Sequence, residues 1–159
     1  MTEAKPRLGY IGMGLMGAPM AARLVDAGYE VAIWNRSADK MKPLVAKGAA
    51  AAASPRAVAE RADIVMMCLT AAPAVREVVF GANGVAETKG AAKYLVDFSS
   101  MRPDLTREWS AELRKKKSEA KRPMKAKIAR AIVGNDAVVL ERCRQGARDL
   151  AAAASVASF

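Results

Sequence analysis

Leu8-Gly9-Tyr10-Ile11-Gly12-Met13-Gly14-Leu15-Met16-Gly17 places an apolar run directly before a G-x-G-x-x-G turn, and a helical pattern follows it. Strand, glycine turn and helix in that order form the first half of a βαβ unit that seats a dinucleotide pyrophosphate. Gly12 permits the tight turn out of the strand, Gly14 lets the backbone approach the diphosphate, and Gly17 lets the helix pack close to the sheet. Met13, Leu15 and Met16 complete the loop. The anion needs no basic side chain there, because unpaired N–H groups and the positive end of the helix dipole converge on it.

Outward from this turn the context strengthens the reading. Leu8 to Ile11 has the length and apolarity of a buried strand, while Met16, Met20, Leu24 and Ala27 recur at helical spacing and Gly28 supplies a stop. A second strand is predicted over Glu30 to Trp34. The alternative is a plain strand, turn and helix whose glycines serve packing alone.

About 20 residues beyond the glycines, at the end of the second strand, the adenosine ribose is read. The chain has Asn35-Arg36-Ser37 at this point. An acidic residue would accept from both ribose hydroxyls and repel a 2′-phosphate. Arg36 instead offers a planar cation to a phosphate, and Asn35 and Ser37 add neutral donors, so NADP is expected over NAD. Arg36 as a solvated cation, with Ser37 capping a helix over Ala38 to Lys47, is the alternative.

The remainder alternates strands and helices, with apolar runs expected of a parallel sheet covered on both faces. A short third strand is predicted in Ala50–Ala52 and a helix from the Ser54-Pro55 cap to Arg61. A central strand follows over Ile64–Leu69, then a helix over Ala74–Phe80, a turn at Gly81–Gly84 and a fifth strand over Tyr94–Phe98. The fold class is α/β, a doubly wound Rossmann-type parallel sheet. Ligands of such sheets lie beyond the carboxyl ends of the strands, which here are Gly12–Gly17, Asn35–Ser37, Leu69-Thr70-Ala71 and Ser99-Ser100.

Composition narrows the class further. With 159 residues and 52% hydrophobic content the chain can bury a core. The charged Met1–Arg7 segment ahead of an apolar stretch has the outline of a secretory signal. The glycines at 9, 12, 14 and 17, Arg23, and the lack of any 18-residue apolar run argue against one, so a cytoplasmic, non-membrane protein is expected. There is no histidine; Cys68 is predicted in a buried strand and Cys143 in a helix, a spacing that predicts no metal site.

Four segments in order carry a resemblance: Tyr10 to Ala21, Trp34-Asn35-Arg36-Ser37, Met67-Cys68-Leu69-Thr70, and Val96-Asp97-Phe98-Ser99-Ser100-Met101-Arg102-Pro103. From Arg7 to about Lys115 the chain resembles the β-hydroxyacid dehydrogenases, the group of 3-hydroxyisobutyrate dehydrogenase and tartronate semialdehyde reductase. The resemblance implies hydride transfer between NADP and a small 3-hydroxyacid or its semialdehyde. It also implies that Leu69 and Thr70 line the path from adenosine to nicotinamide, and that Ser100, with Ser99, touches the nicotinamide ribose or the substrate. The serine pair as an N-cap for a helix beginning near Pro103 is the alternative.

Oxidising an alcohol also requires a group that takes its hydroxyl proton. In the family a lysine in a G-x-x-x-K-x-x-N pattern does this, and neither that pattern nor the family's DAPVSGG-like substrate loop occurs here. No catalytic residue is therefore assigned, the second, all-helical domain is expected to be absent, and a hydroxyacid would be a partner only where such a domain is supplied. Lys115 to Lys127 stands where the substrate loop would be, and charge changes with it. Residues 1–114 hold 15 Lys/Arg against 12 Asp/Glu, whereas residues 115–159 hold 11 against 4.

The predicted organisation is thus a dinucleotide-binding domain over 1–114 and a basic, divergent tail over 115–159, in which Ala131–Arg144 weakly resembles the family's sixth strand and next helix. A reading-frame change in or after the lysine run, truncating a longer dehydrogenase, is the expected origin, and sequencing downstream of the locus tests it. Exposed apolar surface on a lone half predicts self-association. Other classes are a non-catalytic NADP-binding module and, less favoured because no aromatic precedes Phe159 in the tail, a nucleic-acid-binding arm.

Overall fold

Each apolar run becomes a strand of one parallel sheet, because alternate residues on both faces find apolar cover. The computed structural model describes residues 5–88, 92, 94–119 and 128–130. Its strands are β1 (Leu8–Ile11), β2 (Val31–Trp34), β3 (Ala50–Ala51), β4 (Ile64–Met67), β5 (Tyr94–Asp97) and β6 (Ile128–Arg130), in the order β3-β2-β1-β4-β5-β6. Helices α1 (Gly17–Asp26), α2 (Lys42–Ala46), α3 (Pro55–Arg61), α4 (Ala72–Phe80) and α5 (Pro103–Glu119) make the connections. The chain winds outward from β1 to β3 and then returns to set β4 beside β1, with Leu8 paired to both Val31 and Ile64. The crevice between β1 and β4 is the point where the winding reverses, where sheets of this kind take their ligands.

Period-two alternation splits the core in two. Leu8, Tyr10, Val31 and Ile33 pack with Met13, Ala21, Met41 and Leu44 under α1 and α2. Ile11, Ala32, Val65, Met67 and Leu95 pack on the other face with Val58, Val75, Val78, Val79, Trp109 and Leu113 of α3, α4 and α5. Two local signals work as expected from the sequence. Ser54 Oγ accepts from Ala57 N at 3.1 Å and caps α3, and Pro55 follows at its first position.

Other boundaries differ from the sequence reading. The helix expected over Ala38–Lys47 is two pieces, a 3₁₀ turn at Ala38–Met41 and then α2, because Pro43 has no N–H for the preceding turn and restarts the helix. β2 begins at Val31 rather than Glu30, β3 ends at Ala51 rather than Ala52, and α4 begins at Ala72 rather than Ala74. β4 stops at Met67, so Cys68 lies just past the strand and is half-buried instead of sitting inside it. A sixth strand is present at Ile128–Arg130, parallel to β5, ahead of the 131–144 stretch named for it. That stretch, and with it Cys143, lies outside the described residues. α5 runs through Lys115 and Lys116, so the compositional break at 115 falls inside a helix; Lys116 Nζ reaches Glu87 Oε1 at 2.6 Å.

α5 is fastened by aromatic contacts that the sequence reading did not foresee. Trp109, 9% exposed, meets Phe80 edge to face at 6.5 Å, and the Arg76 guanidinium lies over both rings while pairing with Glu112. Trp109→Ala is expected to cost about 3 kcal/mol in urea denaturation. A cost below about 1 kcal/mol would show that α5 adds little to the core.

Tyr10 is fully buried and donates to Met20 Sδ at 3.3 Å. Burial, with the Cys68 thiol adding to it, holds the phenol far above its ordinary value of 10.0; burial and then the Asp97 charge also push the Cys68 thiol up. In the window above the unfolded values the native chain keeps protons that the unfolded chain has lost. Stability is therefore full below that window and falls as pH rises through it. Urea midpoints measured from about pH 8 to 11 should fall, and Tyr10→Phe should fall less steeply; equal slopes would refute the Tyr10 contribution.

Candidate dinucleotide-binding site

The three glycines of the turn answer to different constraints. Gly12 has φ +99°, a left-handed conformation, and a Cβ built on it would overlap the Cys68 carbonyl oxygen and come within 2.9 Å of Leu69 Cδ2. A Cβ on Gly17 would overlap the Gly12 carbonyl oxygen. Both are demanded by the fold. Gly14 is not: its φ is not positive, and a Cβ there would meet nothing within 4 Å. Nothing among the described residues requires a glycine at 14, whereas close approach of an anion does.

The electrostatics match. α1 starts without a side-chain cap at Met16 and with no acidic residue in its first turn, while Ala18 N donates to the Gly14 carbonyl at 3.1 Å. The N–H groups of Gly14, Leu15, Met16 and Gly17 have no acceptor among the described residues. Unpaired donors at the positive end of a ten-residue helix suit a diphosphate. The loop presents apolar side chains around them, with Leu15 98% and Met16 62% exposed, while Met13 is buried.

The end of β2 lies against this loop. Asn35 Oδ1 accepts from Met13 N at 2.9 Å, and Asn35 Nδ2 donates to the Ser37 carbonyl at 3.0 Å. The amide, expected from sequence to add a neutral donor, braces the glycine turn through its oxygen. Arg36 beside it is exposed and forms no ion pair among the described residues. Ser37 is exposed and makes no side-chain capping bond, so the capping alternative for it is not what forms.

Across the crevice, the ends of β4 and β5 are laced together. Cys68 N donates to the Ile11 carbonyl and Phe98 N to the Met67 carbonyl, and there the backbone ladder ends. One step further, Leu69 N donates to Ser99 Oγ at 2.9 Å, and Ser99 N donates to Asp97 Oδ1 at 2.7 Å. Ser99 and Asp97 are buried, whereas Thr70 and Ser100 are exposed at the rim and Leu69 is half-buried. The serine pair therefore divides into an inward brace and an outward hydroxyl, and neither role is the cap read as its alternative. Sequence reasoning missed the bracing by Asn35 and Ser99, because their bonds to Met13 and Leu69 join residues distant along the chain, and with it the role of Asp97 in holding the Ser99 backbone.

Among the described residues no group of three or more His, Cys, Asp or Glu gathers to hold a metal, and no helix is long and apolar enough to cross a membrane. The arrangement suits a diphosphate, with a guanidinium that pairs with no carboxylate among the described residues on one side and small polar groups on the other.

Comparisons with known proteins agree with this geometry. Residues 7–120 match the NAD binding domain of 6-phosphogluconate dehydrogenase. A probable 3-hydroxyisobutyrate dehydrogenase-like 3 protein of Arabidopsis thaliana, described as mitochondrial, is 37% identical over 113 residues, 71% of this chain and 36% of the relative. The 3-sulfolactaldehyde reductase of Escherichia coli is 34% identical over 109 residues, 69% of this chain and 37% of the relative. The chain spans little more than a third of the length of these curated relatives. An imine reductase from Myxococcus stipitatus, solved in complex with NADP+, superimposes with a TM-score of 0.69 at 22% identity, covering 91% of this chain and 52% of that one. That likeness shows the Rossmann-type fold. By the match over residues 7–120, the chain belongs to the family of the NAD-binding domain of 6-phosphogluconate dehydrogenase.

Proposed function

We propose that the chain is the NADP-holding part of an oxidoreductase of the β-hydroxyacid dehydrogenase type. Its reaction is hydride transfer between the nicotinamide and a small 3-hydroxyacid or its semialdehyde. The observation that carries this reading is Gly14: a glycine that no contact among the described residues requires, set among N–H groups that have no acceptor among those residues. The relatives named for dehydrogenase and reductase activity support the reaction class. When bound, the nicotinamide supplies the hydride acceptor or donor. The chain's own residues bind and orient it: Gly12 to Gly17 hold the diphosphate, Arg36 and Ser37 meet the adenosine phosphate, and Leu69, Thr70 and Ser100 face the other half. Asn35 and Ser99 keep these walls in place. No group among the described residues is assigned to the hydroxyl proton.

Arg36 favours NADP over NAD because a guanidinium without a carboxylate partner among the described residues is available to a 2′-phosphate. The exposed tip Leu15-Met16 supports self-association or packing against further protein, as apolar surface of that kind does. A cytoplasmic setting, with the Cys68 thiol free, completes the reading.

Thermal denaturation with each nucleotide tests the cofactor. NADPH at about 100 times its Kd should stabilise the chain by about 2.7 kcal/mol, and NADH at the same concentration by less. No shift with either nucleotide would overturn the reading. Arg36→Asp should remove the preference for NADPH, and an unchanged ratio of affinities would exclude Arg36 from the site. Turnover of small hydroxyacids, assayed alongside, tests the reaction class.

The glycines give a second, independent check. Gly14→Ala should leave stability within about 0.5 kcal/mol of the parent and abolish dinucleotide binding. Gly12→Ala should instead destabilise the fold by about 3 kcal/mol or more, through strain and overlap together. A Gly14→Ala protein that still binds NADPH normally would remove the main support for the cradle.

A further inference from the structure

We infer that Asp97 and Ser99 are positioning residues that set the half of the site away from the adenosine, by holding the Leu69-Thr70 segment against the glycine turn. The inference rests on the reading of the crevice as a dinucleotide cradle and extends it to two buried residues, 6% and 4% exposed. The sheet ladder runs out at Cys68 and Phe98, so the next N–H, that of Leu69, has no strand carbonyl to meet. Ser99 Oγ stands in for it at 2.9 Å. The Asp97 carboxylate fixes the backbone of Ser99 two residues on, at 2.7 Å, as acidic side chains do in turns.

What this holds in place lies against the anion loop. Leu69 Cδ2 and the Cys68 carbonyl oxygen flank Gly12 so closely that no Cβ fits there. A displaced Leu69 therefore loosens the β4 side of the crevice, the side that faces the half of a dinucleotide beyond its diphosphate. Sheet order gives the effect a direction. The adenosine is read at β2, the diphosphate lies over β1, and the far half of the dinucleotide falls over β4 and β5, where Leu69 and Ser99 sit. Losing the Ser99 oxygen leaves a partly buried donor unpaired and lowers the population of the binding-ready segment, and apparent affinity falls by the same factor. Arg36, which would meet a 2′-phosphate, follows β2 on the opposite side of β1 and is untouched.

The test compares NADPH, NADH and adenosine 2′,5′-bisphosphate on the full chain by calorimetry, with melting temperature measured beside it. Ser99→Ala should weaken NADPH and NADH alike by about tenfold and leave adenosine 2′,5′-bisphosphate within about twofold of the parent. Ser99→Thr, which keeps the oxygen, should restore NADPH binding to within about threefold of the parent. Should Ser99→Ala fail to fold, Asp97→Asn carries the test, because it weakens the anchor without removing the acceptor. It should cost about threefold in NADPH affinity and nothing for the bisphosphate. Equal affinity of the parent and Ser99→Ala for NADPH overturns the inference, and so does a loss shared equally by the bisphosphate, which would mark a general structural role. A parent chain that binds no dinucleotide refutes the cradle itself.

Discussion

The closeness of the Gly12 backbone to the Cys68 carbonyl is the constraint on which the rest of this structure depends. It is set by the parallel pairing of β1 with β4, which brings the end of one strand and the end of the other to the same level at the reversal point of the sheet. Only a residue without Cβ and with a left-handed backbone fits there, and that residue turns the chain into α1. The same turn puts the Gly12 carbonyl under Gly17, so the helix is seated on the loop it emerges from. Packing and binding thus share one piece of backbone. The close fit that positions α1 goes with N–H groups at Gly14 to Gly17 that have no acceptor among the described residues.

Around that contact the crevice is held by polar side chains doing the work of missing ladder bonds. Asn35 ties the loop to the β2 side through Met13, and Ser99 ties Leu69 to the β5 side. Each uses a neutral acceptor near a place where negative charge is expected to bind. A carboxylate directly on the loop would make the same bonds and repel the ligand. The one carboxylate in the lacing, Asp97, is buried a step behind Ser99 and bonded to its backbone.

The fold was largely legible from the chain. Glycine spacing, strand-length apolar runs and the Ser54-Pro55 start are local signals whose physics acts over a few residues, and β1, β2, β4, β5 and α3 stand close to where these put them. What was not legible depended on long-range partners or on short breaks. Pro43 cuts a helix that periodicity joins. The contact of Trp109 with Phe80 depends on how α5 crosses α4, which no spacing in either helix encodes. At the candidate site, the demand for glycine at 12 and 17 was readable because a tight turn and a close helix impose it locally, and Arg36 was read from the chemistry of its guanidinium alone. Asn35 and Ser99 were placed at the site from sequence, but the structure shows them bonded to the protein's own backbone, a pairing across 22 and 30 residues that only the fold reveals.

The shortness of β3 has a further consequence. Ala50 and Ala51 are both exposed, and two residues offer very little backbone to a neighbouring strand. That margin of the sheet is poorly suited to templating another chain. The sheet is in this sense sealed beside β3, where the strand's own brevity leaves too little backbone for a neighbouring chain to pair with.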